Sequence, residues 1–224
     1  MIVKKQKNRV LLQWLSGWNN TIGGFMKILL KDIKKELEVF GLTLNNIDAL
    51  PIIEVFNKEH DWDGGYESGH GYDGAREEFY TDLNEIFSFL IELIDYVKLE
   101  RCIIAPLHAY SYFEGWSDIS KNDIYRILVK VLSEHQINIR TQCGLGLCLN
   151  EGKTILKRFV EGGFRYISRA NLFLPEIGLI VQPWHHLNLK FISNDYKAIE
   201  QLISSLLPKY NNLSSWKEEE GYLS

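Results

Sequence analysis

Apolar positions along the chain follow two rhythms, one of three to four residues and one of two, which mark expected helices and strands. Leu30, Ile33, Leu37 and Phe40 recur at helical spacing within residues 25–40, and Gly41 supplies a stop. Leu50 to Phe56 reads as a short buried strand, with Pro51 tolerable at its beginning. The clearest helix spans residues 76–97, where Phe79, Leu83, Ile86, Phe87, Leu90, Ile94 and Val97 share one face and acids occupy the other.

Beyond it, Cys102 opens a strand that the pattern carries through Pro106 to Phe113. Residues 120–135 predict a helix through Ile124, Ile127, Leu128, Val131 and Leu132, with Ser120 as its N-cap. Ile137 to Leu149 reads as a strand bent near Gly144 and Gly146, and Glu151 to Val160 as a short helix stopped by Gly162 and Gly163. Phe164 to Leu174 and Gly178 to Phe191 predict two strands joined as an antiparallel hairpin by Pro175, Glu176 and Ile177. A last helix starts near Asn194 and Asp195 and ends at Pro208.

This succession predicts an α/β (mixed α+β) fold: a single mixed β-sheet covered by amphipathic helices, with a late antiparallel hairpin. Residues 1–210 are expected to form one domain, and 211–224 a polar C-terminal tail that Trp216 and Tyr222 can pin down. With 46% hydrophobic and 24% charged residues, the chain has the means to bury a core without cross-links. Its three cysteines, Cys102, Cys143 and Cys148, are odd in number and lack C-x-x-C spacing, which disfavours a disulfide framework or structural zinc. That usage suits a reducing compartment, and no run of 18 uncharged apolar residues occurs, so the expectation is a cytoplasmic protein without a membrane span.

Charge alters the picture more than composition does. Residues 54–100 hold thirteen acids against three bases, whereas residues 1–40 and 101–175 carry a net positive charge. A segment this acidic repels phosphate and is disfavoured as a nucleic-acid surface, but it suits a basic protein partner. The same stretch contains Asn57 to Gly74, with five glycines, aromatic residues and neither helical nor strand period. Glycine permissiveness combined with rigid aromatics is the chemistry of a binding loop. The expected partner-binding residues are therefore Asp61, Trp62, Asp63, Tyr66, Glu67, Tyr72, Asp73, Glu77 and Glu78. They describe an intracellular inhibitor of the immunity type, presenting an acidic surface to a basic protein.

Two constellations support an enzymatic alternative, a metal-dependent or histidine-based hydrolase. His60, Asp61, Asp63, His70 and Asp73 combine imidazole and carboxylate donors for a divalent ion, although the spacing fails as an EF-hand because Tyr66 stands where the loop needs glycine. His108 and His185 follow two similar strands, Ile103 to Leu107 and Ile180 to Trp184, and with Glu114 they have the residue types for acid–base catalysis. Neither a Walker A sequence nor a G-x-G-x-x-G fingerprint occurs, and no cofactor is expected.

Overall fold

The computed structural model describes residues 24–59, 73–107, 111–115, 119–140 and 143–218. Eight strands and five helices lie among them: β1 (Phe25–Leu29), α1 (Leu30–Val39), β2 (Ile52–Asn57), α2 (Asp73–Tyr96), β3 (Arg101–Ala105), α3 (Asp123–Glu134), β4 (Cys143–Cys148), α4 (Leu149–Phe164), β5 (Asn171–Leu174), β6 (Leu179–Trp184), β7 (Asn188–Ile192), α5 (Tyr196–Leu206) and β8 (Leu213–Glu218). The strands form one sheet in the order β1-β4-β3-β5-β6-β7-β2-β8. This is the expected α+β arrangement of a single sheet covered by helices. All seven ladders are antiparallel: α3 leads from β3 to its antiparallel neighbour β4, the other helical connections join strands that are not neighbours, and no parallel pair arises among the described residues.

Because side chains alternate across a strand, each strand feeds two cores. Cys102 and Ile104 of β3, Leu172 of β5, Val181 of β6 and Phe191 of β7 face α2, α3, α4 and α5 in the larger cluster. Ile103, Phe173, Ile180 and Ile192 face the opposite way and meet Ile33 and Leu37 of α1. A Cβ on Gly144 would lie 2.7 Å from Ile33 Cδ1, so the bare backbone of β4 is what lets α1 sit this close.

Several boundaries differ from the sequence reading, each for a physical reason. Residues 25–29 form a strand before α1, because Met26 and Ile28 alternate with Phe25 and Lys27 and pair with β4. β3 ends at Ala105, before Pro106, and Phe113 makes an isolated bridge to Ser168 outside the sheet's strands. Asn122 caps α3 in place of Ser120, its side chain accepting the Ile124 amide hydrogen. Gly162 and Gly163 do not stop α4, which continues to Phe164. They lie where the helix crosses its neighbours: a Cβ on Gly163 would stand 2.6 Å from Pro183 Cβ. The long strand expected to run to Phe191 is two strands, β6 and β7, folded at His185–Leu187. Finally, residues 213–218 are no tail but edge strand β8, hydrogen-bonded to β2 along its length.

Among the described residues no helix is long and apolar enough to cross a membrane.

Candidate functional site

The strand order decides which loops meet. With every neighbour antiparallel, β3, β6 and β2 point the same way, and their C-terminal ends share one end of the sheet. β2 ends there at Asn57, β3 at Ala105 and β6 at Trp184, the last followed by the turn His185–Leu187. β6 stands two strands from both β2 and β3, about 10 Å at ordinary strand spacing. The turn bearing the histidines is thus at the centre of the group.

That turn is a three-residue hairpin loop. Trp184 and Asn188 are the last paired residues, the Leu187 N–H donates to the Trp184 carbonyl at 3.1 Å, and Leu187 adopts φ +59°. A left-handed residue in the final loop position is usual for this hairpin, but glycine is the residue it favours. Leu187 is held there by burial, with only 1% of its surface exposed. The rings of the two preceding residues, His185 and His186, lie 4.2 Å apart at a tilt of 40°, with Trp184 4.8 Å and Tyr166 5.2 Å from His185.

Each histidine borders a different cleft. His185 lines one of about 260 Å³ with Trp184, Gln182, Asn171, Tyr166, Arg169 and Glu114. Arg169 donates through Nη2 to a Glu114 carboxylate oxygen, and this bond raises the guanidinium pKa above its ordinary value. Glu114 is itself fixed by backbone: its N–H bonds to Ile167 O at 3.0 Å, while the Arg169 N–H bonds to Tyr112 O at 2.9 Å. Tyr112 is fully buried, with its hydroxyl 2.9 Å from Ile104 O and 2.7 Å from Cys143 O, tying this segment to β3 and β4. His186 lines a second cleft, of about 470 Å³, on the far side of the hairpin with Glu54, Phe56, Asn57, Lys58, Asn188 and Trp216.

The expected site residues divide accordingly. Glu114 and His185 line one cleft. Glu77 and Glu78 are exposed on the first turns of α2, and Asp73 is its first residue. His60, Asp61, Trp62, Asp63, Tyr66, Glu67, His70, Tyr72 and His108 lie outside the described residues. Among the described residues no three His, Cys, Asp or Glu side chains converge as metal donors. Cys102 is completely buried, and burial pushes its thiol far above the usual range, which removes it as a nucleophile.

Part of the acidity of 54–100 is answered from within the chain. Glu54 pairs with Lys190 at 3.1 Å, Asp95 with Lys153 at 2.9 Å, and Glu92 with Lys209. Asp82 is buried. The exposed acids of α2 outside these pairs include Glu77 and Glu78, near its N-terminus.

Trp184, Asn188, Lys190 and Asn171 were not singled out by the sequence reading. For Trp184, Asn188 and Lys190 the signal was the alternation of polar and aromatic residues with aliphatic ones along β6 and β7, where an aliphatic face alone would have sufficed for packing. No family model, curated protein or solved structure matches the chain.

Proposed function

We propose that the protein is a binding protein of the inhibitory, immunity type, which engages a basic protein through the loop-bearing end of its sheet. The observation that carries this reading is the uneven quenching of the acidic segment. Lysines of the chain neutralise Asp95 and Glu92 toward the end of α2, whereas Glu77 and Glu78 at its start are exposed and outside any ion pair among the described residues. A patch of one sign raises association rates with a partner of the other sign and sets specificity.

The test compares two charge reversals in co-purification from cells, with recovered proteins identified by mass spectrometry. Glu77→Lys with Glu78→Lys should abolish recovery of a basic partner, Asp95→Lys should leave it intact, and added salt should weaken it. Equal loss from both reversals, or no dependence on salt, refutes the reading.

One observation favours a second reading, a histidine-based hydrolase: Glu114 and His185 line a single cleft, with Arg169 holding the carboxylate. In that case His185→Ala and Glu114→Gln should each abolish turnover of ester or phosphoester substrates at unchanged melting temperature. Turnover unaffected by both removes it.

A further inference from the structure

α1 buries one charged residue among its aliphatic contacts. Its inward face presents Ile33, Glu36 and Leu37, and Glu36 is only 4% exposed. The helix is fastened one turn further on, where the Asn194 side chain donates to Phe40 O at 2.8 Å. There Phe40 packs so closely on the turn between β5 and β6 that a Cβ on Gly178 would lie 2.3 Å from its ring. Glu176 belongs to the same turn, and its carboxylate accepts from Arg101 Nε of β3 at 2.9 Å. Arg101 is buried, and Glu36 feels the charge of both Arg101 and Glu176. Two carboxylates and one guanidinium thus form a largely buried cluster under the end of α1.

One positive charge does not balance two negative ones. Glu36 Oε1 and Glu176 Oε2 are buried without a hydrogen-bond partner, and burying an ionised carboxylate in that state is costly. The other neighbours of α1 bring no countercharge: β1 turns Met26 and Ile28 toward it, β4 turns Gly144, Gly146 and Cys148, and β7 turns Ile192, while Lys190 of β7 is engaged with Glu54. On α1 itself Asp32 and Lys35 pair with each other at 3.7 Å. Burial raises the Glu36 pKa, with Arg101 opposing the rise and Glu176 adding to it. A carboxyl whose pKa is raised in the docked state contributes fully below its undocked value, and the contribution is lost as pH rises through the docked one. A helix of ten residues is marginal in water by itself, so α1 persists only while docked.

We infer that α1 is a pH-sensitive cover, held on the sheet while Glu36 is protonated and released when ionised Glu36 and Glu176 compete for the single Arg101. Release uncovers Ile103, Phe173, Ile180 and Ile192, the aliphatic patch that α1 seals. The larger core lies on the opposite face of the sheet and keeps its packing, so the opening is local. The inference uses no premise about the acidic surface of α2 or the His185 cleft, and stands or falls separately from both.

Hydrogen exchange of the full chain, read by mass spectrometry and corrected for the intrinsic pH dependence of exchange, measures the release. Between about pH 5 and about pH 8, protection of Leu30–Val39 should fall about tenfold relative to that of α2, the effect of one unit of pKa difference. Glu36→Gln should hold protection at its acid level across the range. Glu176→Gln leaves Arg101 to Glu36 alone and should flatten the response as well, which keeps the test decisive should Glu36→Gln fold poorly. Equal loss in α1 and α2 overturns the inference, because it reports global unfolding. Protection of α1 that is independent of pH overturns it too, as does a loss that both variants retain.

Discussion

Leu187 separates two contributions that usually vary together, packing and backbone strain. Its side chain is buried to 1% exposure, and its backbone has φ +59°. Truncation to alanine removes the side chain but retains a Cβ in the left-handed region, where a Cβ costs about 1 kcal/mol or slightly more. Loss of a buried leucine costs about 2–5 kcal/mol, and the position beside an open cleft points to the lower part, about 3 kcal/mol. Leu187→Gly loses the same packing but relieves the strain, so it should be more stable than Leu187→Ala by about 1 kcal/mol. This reverses the order expected in a strand or helix, where glycine is the worse residue. Urea denaturation with linear extrapolation measures both, and in a chain of this size the difference corresponds to about 2–4 °C in Tm. If Leu187→Ala proves equal to or more stable than Leu187→Gly, the left-handed residue closing the histidine turn is wrong, and the described placement of both clefts fails with it.

Other perturbations have signs fixed by the structure. Glu161 is buried at 1% exposure, accepts from Arg158 at 2.8 Å and lies 3.5 Å from the buried Arg165, so Glu161→Ala should cost about 3 kcal/mol and Glu161→Gln less, because its amide oxygen still accepts. Gly163→Ala gains about 1 kcal/mol of helix propensity but drives a methyl into Pro183, and overpacking of about 1–3 kcal/mol should prevail, giving a lower Tm. Glu36 lies on the buried face of α1 and its pKa is raised by that burial, against the opposing effect of Arg101 and with help from Glu176. A raised folded-state pKa makes its contribution fully present below the unfolded value and lost as pH rises through the folded one; Glu36→Gln should therefore stabilise near neutral pH, with the gain vanishing in acid. Tyr112→Phe leaves the carbonyls of Ile104 and Cys143 without this donor and should cost about 1–3 kcal/mol in urea denaturation, with retained tryptophan emission.

The helices were legible because their apolar stripes are long: α2 and α5 fall within a few residues of the expected spans. The sheet was less legible, and the reasons are local. β8 presents Ser214, Ser215 and Trp216 with only one aliphatic residue, since as an edge strand it buries little beyond Leu213. The β6–β7 hairpin carries leucine where glycine would have announced the turn, so the run appeared continuous. Gly162 and Gly163 looked like punctuation but are contact surface. Of the candidate site, Glu114 and His185 stood out by residue type, whereas the grouping of Glu54, Asn188 and Trp216 around the second cleft depends on register between strands far apart in sequence.

That register has a consequence for how the molecule is made. β2 takes its neighbours from β7 and β8, more than a hundred residues downstream, and β1 takes its neighbour from β4. A chain emerging from the ribosome therefore carries Ile52–Asn57 with neither flank hydrogen-bonded until synthesis has passed residue 188. Topology of this kind is slow to close and exposes strand edges meanwhile. Truncation at residue 210 should accordingly yield aggregated product, because it deletes one of the two strands on which β2 depends.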